Sequence, residues 1–211
     1  MTLFISIEGG EGSGKSSLNA ALSDRLTARG IESVSTFEPG GTPMGVALRA
    51  RLFALPNAQD RTLSPWTETF LFLADRTHHV DSLIRPALDH GAVVLCDRYS
   101  DSTIAYQGDG RGLDRDLLQQ LNDVATGGLQ PDLTILLDLD AAAGLARTHP
   151  EAEDRIGGET LAFHQRVVVG FRRLAHEQPQ RIHRIDAAQP LDVVIESAWA
   201  IVEPQLPQSG P

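Results

Sequence analysis

The stretch of sequence that decides the fold is Gly9-Gly10-Glu11-Gly12-Ser13-Gly14-Lys15-Ser16, which matches the pattern G-x-x-x-x-G-K-[ST]. The apolar run Leu3-Phe4-Ile5-Ser6-Ile7 precedes it, and a helical periodicity follows it from Lys15 to Arg29. A strand, a glycine-rich turn and a helix in this order form the context that a phosphate-binding loop requires. The sequence therefore predicts a site for a phosphorylated ligand in this loop.

Each residue type in the loop has a physical reason to bind phosphate. Glycines let successive backbone N–H groups point at one anion, and the N-terminus of the following helix adds a positive dipole. Lys15 is expected to reach the β- and γ-phosphates of a nucleotide, and Ser16 to place its hydroxyl on Mg²⁺. The residues predicted to bind the phosphates of a nucleotide, which the family resemblance given below implies to be ATP, are Gly9, Gly10, Glu11, Gly12, Ser13, Gly14, Lys15, Ser16 and Ser17.

The charge composition points to the same loop. The 211 residues include 18 Lys and Arg against 28 Asp and Glu, a net charge of −10, which argues against nucleic acid and an anionic membrane as partners. Lys15 is the only lysine, so most of the positive charge is carried by arginines, which bind phosphate bidentately. An Asn-Lys-x-Asp segment for guanine recognition is therefore excluded, and a GTPase is disfavoured.

Short apolar runs alternate with helical periodicities along the chain. After the first strand, further strands are predicted at 31–37, 92–96, 133–137 and 181–185. Because strands separated by helices pair in parallel, we expect an α/β P-loop fold whose five-stranded parallel sheet has helices on both faces. The chain is predicted to form a single domain over residues 1–211.

The remaining segments are assigned by the same periodicities. The predicted helices after the first lie at 43–55, from Pro65 past Arg76 with Ser64 as N-cap, and at 81–90, 114–124, 141–147, 158–177 and 191–202. Residues 97–112 are predicted to be a polar, glycine-rich loop, and residues 204–211 a frayed tail.

The compartment is predicted from two features. The first residues, Met1-Thr2-Leu3, carry no basic region followed by an apolar region of the kind that begins a signal peptide. No apolar stretch approaches the ~18 residues that span a bilayer. The single cysteine, Cys96, lies in an apolar run and is expected to be part of the core. These features favour the reducing cytoplasm.

Groups suited to a second phosphate follow later strands and lie on predicted helices. Asp97 and Arg98 come directly after the strand at 92–96, while Arg49 and Arg76 are on helices. In open α/β sheets, ligands bind beyond the carboxyl ends of the strands, so Asp97 and Arg98 should face the same crevice as Lys15. This arrangement favours a phosphorylated acceptor.

With these residues, the chain resembles the bacterial thymidylate kinases, P-loop nucleoside monophosphate kinases that phosphorylate dTMP, from Phe4 to about Val202. Beside the phosphate loop, the matching segments are Glu38-Pro39-Gly40-Gly41-Thr42, Phe72-Leu73-Ala74-Asp75-Arg76, Asp97-Arg98-Tyr99, Ser102-Thr103-Ile104-Ala105-Tyr106-Gln107-Gly108, Pro131-Asp132-Leu133-Thr134, Asp154-Arg155-Ile156 and Ile185-Asp186-Ala187. The block from Asp-Arg-Tyr to Tyr-Gln-Gly is the most specific of them.

The resemblance implies that ATP and dTMP are converted to ADP and dTDP with Mg²⁺ as cofactor, and that the enzyme is a homodimer. It implies that Phe72 stacks on thymine, that Arg76 bonds its carbonyl, and that Tyr106 lies against the deoxyribose. Arg49 and Arg98 would hold the acceptor phosphate. The residues implied to bind the substrate are Glu38, Arg49, Phe72, Arg76, Arg98, Ser102, Thr103, Tyr106 and Gln107; Lys15, Arg98, Glu11 and Arg155 are the expected catalytic residues, and Ser16 and Asp97 the expected metal ligands.

Two positions depart from the family pattern. Phe37 stands where many relatives have an arginine before the Glu-Pro-Gly-Gly turn. The segment expected to close over ATP as a lid, at about 147–158, is acidic on balance and offers only Arg147 and Arg155. Arg155 is the preferred partner of the transferred phosphate, because the Ile156-Gly157-Gly158 segment after it can act as a hinge.

Other interpretations remain open on the residues alone. Without the resemblance, Phe72 on a helix is more often part of the core than a stacking platform; Tyr106 has core packing as its alternative, and Arg76 a surface ion pair. His78 and His79 cannot share a metal, because adjacent helix positions diverge by about 100°, and no structural metal is predicted. Another small P-loop nucleotide or nucleoside kinase, or a non-catalytic ATP-binding regulator with a depleted lid, would also contain this loop.

Overall fold

Five parallel strands form the centre of the structure, a computed structural model that describes residues 2–53, 63–148 and 155–206. The strands are β1 (Leu3–Gly9), β2 (Ser33–Phe37), β3 (Val93–Asp97), β4 (Leu133–Asp138) and β5 (Ile182–Asp186). They are ordered β2-β3-β1-β4-β5, and every neighbouring pair is parallel. The predicted α/β fold with a five-stranded parallel sheet is confirmed, and the strand ends differ from the prediction by one or two residues.

Helices connect the strands in the described parts of the chain. They are α1 (Lys15–Ala28), α2 (Pro43–Phe53), α3 (Pro65–His79), α4 (Arg85–Asp89), α5 (Ser100–Thr103), α6 (Arg115–Thr126), α7 (Ala141–Arg147), α8 (Leu161–Glu177) and α9 (Leu191–Val202). A π-helical turn, Val80–Ile84, joins α3 to α4. Ser64 accepts a hydrogen bond from the Thr67 backbone N–H, so the predicted N-cap of α3 is confirmed.

The sheet is covered on both faces because its side chains alternate. On β1, Ile5 and Ile7 pack in the cluster that contains α1 and α9, whereas Phe4 packs in a different cluster with Tyr99. A third cluster brings α8 against the segment after α5 through residues such as Tyr106 and Phe163. Alternation along a strand sends neighbouring side chains to opposite faces, and here both faces are buried.

Residues 97–112 were expected to be a loop, and this prediction is wrong. The segment contains α5 and a π-helical stretch, Ile104–Gly110, in which Ile104, Tyr106 and Gln107 are buried. Its backbone N–H groups bond within the segment, for example from Arg111 to the Tyr106 carbonyl at 2.9 Å. The glycines that suggest a loop allow close helix packing instead, since a Cβ on Gly110 would lie 2.7 Å from the Phe163 ring of α8.

Two smaller predictions about the ends of elements also need correction. Helix α8 begins at Leu161 rather than at Gly158, because Thr160 caps it through the Phe163 backbone N–H. The chain does not fray at residue 204: Glu203–Gln205 form a 3₁₀ turn and Leu206 is buried in the core. Residues 54–55, 149–154 and 207–211, on which other parts of the helix, lid and tail predictions fall, lie outside the described residues.

Among the described residues, no helix combines the length and the apolar character needed to cross a membrane.

Candidate active site

The phosphate loop curls around the N-terminus of α1. Gly9, Gly12 and Gly14 all have positive φ angles, of 148°, 63° and 92°. A side chain at Gly12 would place its Cβ 2.1 Å from the carbonyl oxygen of Gly144 on α7, so only glycine fits there. Gly14 is the N-cap of α1 and no side chain caps this helix end, which leaves first-turn N–H groups available to an anion.

Lys15 lies across this loop. Its Nζ atom donates to the Gly10 carbonyl at 2.8 Å and contacts Ser13 Oγ at 3.4 Å. Burial lowers the pKa of Lys15 to about 8, and the neighbouring Arg98 acts in the same direction. The ammonium group of Lys15 is therefore held where it can form an ion pair with the phosphates of a nucleotide.

The two predicted metal ligands are adjacent. Ser16 Oγ donates to Asp97 Oδ2 at 2.8 Å, and both residues line the pocket at the phosphate loop. Asp97 is the last residue of β3 and pairs with Ile7 of β1, so the sheet register brings it to the loop. A hydroxyl and a carboxylate oxygen are the hard ligands that Mg²⁺ prefers, and the residues present fit this ion.

Arg98 has an unusual backbone conformation that aims its side chain at the loop. It is the one described non-glycine residue with positive φ, 69°. Its N–H donates to Ile7 O at 2.9 Å, and Glu8 accepts from the Tyr99 N–H at 2.8 Å and from Ser102 Oγ at 2.6 Å. These bonds hold the strained turn in place, because left-handed backbone costs energy for a residue with a side chain.

A charged cluster joins the loop to the neighbouring helical wall. Arg98 Nη2 donates to Glu11 Oε1 at 2.8 Å, and the Tyr106 hydroxyl donates to the same oxygen at 2.7 Å. Burial opposes ionisation of Glu11, but Arg98 and Lys15 outweigh it and lower the pKa of Glu11 to about 2. Glu11 is therefore an anion that holds the arginine and the tyrosine in one arrangement.

Two pockets meet at this cluster. The loop pocket is lined by residues that include Glu11, Gly12, Gly14, Lys15, Ser16 and Ser17. The second pocket, here called the acceptor pocket, is lined by Glu11, Glu38, Pro39, Arg49, Phe53, Phe72, Arg76, Arg98, Ser102, Thr103, Tyr106, Gln107 and Ile156. Both are lined by Glu11, Glu38, Arg49 and Arg98. A ligand in one pocket can therefore present a group to a ligand in the other.

All the predicted substrate-binding residues are brought together in the acceptor pocket, including Arg76, which had a surface ion pair as its alternative. Arg76 is only 2% exposed and donates to Glu38 Oε2 at 2.8 Å and to the Tyr99 carbonyl at 3.0 Å. Its Nη1 atom donates to Thr103 and Asn122, both at 2.7 Å. These four bonds leave one of the five guanidinium N–H groups for a ligand.

The partners of Glu38 were not anticipated. Its second oxygen contacts His79 Nδ1 at 2.9 Å, and His79 Nε2 contacts Thr36 Oγ1 at 2.7 Å. Glu38, His79 and Cys96 have possible ligand atoms within 4.8 Å of one another, but hydrogen bonds already engage each of them; Cys96 donates to the Arg98 carbonyl. The arrangement is that of a hydrogen-bonded core which fixes the carboxylate of Glu38.

The aromatic position Phe37 has a direct partner. The Arg49 guanidinium lies over the Phe37 ring at 5.7 Å and over the Phe53 ring at 4.7 Å from the centroids. Arg49 Nη1 also donates to the Pro39 carbonyl at 3.0 Å. Phe37 thus replaces the expected arginine with a ring that helps to hold Arg49 at the junction of the two pockets.

Arg155, the predicted partner of the transferred phosphate, lies away from the phosphate loop in this structure. Its side chain is 7% exposed, and Nη1 donates to Glu68 Oε2 at 2.7 Å while Nε donates to the Leu52 carbonyl at 2.8 Å. It lines neither pocket. Arg147 instead lies beside the loop, since its Cβ would be 3.2 Å from a Cβ placed on Gly12, and it donates to the Ala187 carbonyl.

The sequence and the fold of this chain are similar to those of known proteins. A family model described as thymidylate kinase matches residues 7–198. The chain belongs to the thymidylate kinase family. A thymidylate kinase of Desulfovibrio desulfuricans is 49% identical over 99% of this chain and 98% of its own length, and one of Synechococcus sp. is 50% identical over 97% of each chain. The crystal structure of the thymidylate kinase from Ehrlichia chaffeensis has a TM-score of 0.78 at 31% identity, covering 95% of this chain and 98% of its own.

Several residues of this thymidylate kinase family site were missed in the sequence. They are Glu8, Glu68, His79 and Asn122, all buried and all bonded to residues of the site. A signal for one of them exists: Glu68, Phe72 and Arg76 are spaced four residues apart on α3 and therefore share one helix face. The others lie on different elements, and their meeting depends on the fold.

Proposed function

We propose that this member of the thymidylate kinase family transfers the γ-phosphoryl group of ATP to dTMP, giving ADP and dTDP. The observation that carries the proposal is the junction of the loop pocket and the acceptor pocket at Glu11, Glu38, Arg49 and Arg98. Phosphoryl transfer needs the two reacting phosphates in line, with positive charge around them. Arg49 and Arg98 supply that charge at the junction.

On the donor side, the loop N–H groups and Lys15 would bind the β- and γ-phosphates of ATP. Ser16 and Asp97 would hold Mg²⁺, which supplies positive charge to the donor phosphates when bound. Lys15 moves no proton in this scheme; it stabilises charge on the transferred group. The role of Glu11 is to hold Arg98 and Tyr106 toward the junction through its two hydrogen bonds.

On the acceptor side, the pocket suits a pyrimidine nucleotide. Phe72 offers a ring face for stacking, and the remaining N–H of Arg76 would donate to a base carbonyl. Thr103 and Gln107 would lie near the base edge, Tyr106 against the deoxyribose, and Ser102 beside Arg98. The acceptor is already an anion, so no strong general base is required.

An assay with a series of phosphate acceptors tests this proposal directly. ADP release is measured with ATP and Mg²⁺ against dTMP, dUMP, dCMP, AMP, GMP and thymidine at matched concentrations. We expect selective turnover of dTMP, and its loss in Lys15→Ala without loss of folding. Preferential turnover of thymidine or a purine nucleotide would remove the base assignment, and ATP binding without any turnover would instead support a non-catalytic regulator.

We also propose a single catalytic domain with a lid at about 147–158 that works as a cytoplasmic homodimer. Support for the dimer comes from apolar side chains on the packed pair α3 and α6: Phe70, Leu117 and Val124 are 55%, 41% and 80% exposed. The sole cysteine, Cys96, is a buried free thiol, which suits a reducing compartment. With a net charge of −10, nucleic acid is not a proposed partner.

A further inference from the structure

The buried carboxylate of Glu68 connects the acceptor pocket to Arg155, which lies shortly before α8. Glu68 is 1% exposed and lies on α3, one helical turn before Phe72. Its Oε1 accepts from Gln107 Nε2 at 2.8 Å, and its Oε2 accepts from Arg111 Nη2 at 3.0 Å and from Arg155 Nη1 at 2.7 Å. A buried carboxylate needs such donors, and here they come from two separate segments: Gln107 and Arg111 from the helical stretch after α5, and Arg155 from the residues before α8.

These bonds keep Glu68 ionised. Burial opposes ionisation, but hydrogen bonds from Arg111, Gln107 and Arg155 outweigh it, and the pKa of Glu68 lies below its ordinary value. The carboxylate therefore remains a pure acceptor over the whole neutral range.

Glu68 restrains the side-chain amide of Gln107. Gln107 is 2% exposed and lines the acceptor pocket. Because Glu68 accepts from its NH₂ group, a flip of the amide would bring Gln107 Oε1 against an anion. Glu68 therefore selects one of the two amide orientations that Gln107 can present to a ligand.

Glu68 also holds Arg155 beside the wall of the acceptor pocket. The Arg155 backbone N–H donates to the Phe53 carbonyl at 3.3 Å, while its side chain bonds Leu52 and Glu68. Phe53 and the next residue, Ile156, both line the acceptor pocket. The same carboxylate thus anchors the wall on which Ile156 lies.

We propose that Glu68 is a positioning residue for base selection: it fixes the amide orientation of Gln107 and anchors Arg155, so that the acceptor pocket favours thymine over cytosine. The inference rests on the proposed function. Thymine offers a donor at N3 and an acceptor at position 4, and cytosine offers the reverse. An amide held in one orientation discriminates between these edges, whereas an amide free to flip does not.

The test is Glu68→Gln, with dCMP measured both as an alternative acceptor and as a competitive inhibitor against dTMP. We expect kcat/KM for dTMP to fall by about tenfold or more, because charge-assisted bonds are lost, with most of the change in the KM for dTMP. The preference for dTMP over dCMP should fall as well, while the KM for ATP stays within about twofold.

Glu159→Gln is the matched control. Glu159 pairs with the same Arg111, but its side chain is bonded to neither Gln107 nor Arg155 in the described structure. This variant should keep the wild-type preference for dTMP. An equal loss of preference in both variants would show that Arg111, and not Glu68, sets the selection, and would overturn the proposal.

A double variant shows whether Glu68 acts through the amide. In a Gln107→Met background, Glu68→Gln should change the preference for dTMP over dCMP much less than in the wild type, because the amide is absent and only the contact with Arg155 is lost. A full additional loss in that background would overturn the proposed route. If Glu68→Gln does not fold, Glu68→Asp keeps the charge with a shorter side chain, and a wild-type preference in that folded variant would count against the proposal.

The inference and the proposed function fail in different ways. If the wild-type protein does not phosphorylate dTMP, the proposed function is wrong. If the wild type is selective for dTMP and Glu68→Gln has the same KM and the same preference, only the role of Glu68 is wrong.

Discussion

At the scale of single residues, the site depends on charged groups that hold one another. Arg98 has a left-handed backbone, and its side chain bonds Glu11 and the Gly9 carbonyl. Glu8, directly before the phosphate loop, accepts from Tyr99 and Ser102 and thereby holds the turn around Arg98. The residue expected to bind the acceptor phosphate is thus positioned before any ligand arrives, which reduces the cost of ordering it.

The pH dependence of ATP binding reports on Lys15. Its pKa of about 8 in the free protein should rise when phosphate binds, so affinity is complete below pH 8 and declines as pH rises above it. Titration calorimetry from pH 7 to 9.5 should show the Kd for ATP weakening by up to about tenfold per pH unit above pH 8. Lys15→Arg, which stays charged, should remove this dependence; an unchanged Kd in the wild type across that range would contradict the assignment.

Arg76 is expected to affect both stability and base recognition. Arg76→Lys keeps the charge but cannot reproduce the bonds to Glu38, Thr103, Asn122 and the Tyr99 carbonyl. We expect the free energy of unfolding to fall by about 2 to 4 kcal/mol, and the KM for dTMP to rise. Urea denaturation measures the first and steady-state kinetics the second.

The control for Arg76→Lys is Arg25→Lys, which alters an exposed ion pair with Glu196. Exposed ion pairs contribute little, so stability and kinetics should be nearly unchanged. Equal effects of both variants would show that the buried network of Arg76 has no special importance.

At the scale of elements, the phosphate loop is shaped as much by α7 as by its own glycines. A Cβ on Gly144 would lie 2.2 Å from the Glu11 carbonyl, and a Cβ on Gly12 would lie 2.1 Å from the Gly144 carbonyl. The two backbones can approach this closely only because both residues are glycine. The loop therefore has its shape because α7 packs against it.

Gly144→Ala should damage the donor site selectively. The added methyl group forces α7 away from the loop, and we expect the free energy of unfolding to fall by about 1 to 3 kcal/mol. The KM for ATP should rise while the KM for dTMP is unchanged, as measured by initial rates with each substrate varied. Ala142→Ser, at an exposed position of the same helix, is the control; a Gly144→Ala variant with the wild-type KM for ATP would refute the packing argument.

At the scale of the whole molecule, the sheet and the helices leave an apolar surface on α3 and α6 that includes Phe70 and Val124. The opposite face of α3 carries Glu68 and Arg76 of the site. A helix with one face in the site and another in an interface would link the assembly to the acceptor pocket. Formation of the proposed homodimer would therefore restrain the position of α3 and of the site residues on it.

The dimer is tested with Val124→Glu, because Val124 is 80% exposed and has little packing to lose within the subunit. Two buried carboxylates at a two-fold interface repel each other and are desolvated, so the variant should be monomeric by light scattering at micromolar concentration. Val193→Glu, an exposed valine on α9, should leave the wild-type mass unchanged. A wild-type protein that is itself monomeric would contradict the proposal.

The sequence by itself determined the features that depend on local pattern. The parallel sheet follows from strands that alternate with helices, and the phosphate loop follows from glycine spacing with Lys15 and Ser16. The N-cap Ser64 and the helix after it could also be predicted, because capping and periodicity are properties of neighbouring residues. Asp97 and Arg98 were placed at the loop because the carboxyl ends of parallel strands share one edge.

The tertiary structure alone decided the contacts between distant segments. Residues 97–112 were predicted to be a loop, yet residues 100–110 are helical because the core and α8 bury them. Arg155 was expected at the transferred phosphate, yet it pairs with Glu68, since a buried carboxylate 87 positions away is its available counter-charge. Local pattern encodes turns and helix faces, but which charges meet in the interior depends on how the elements pack.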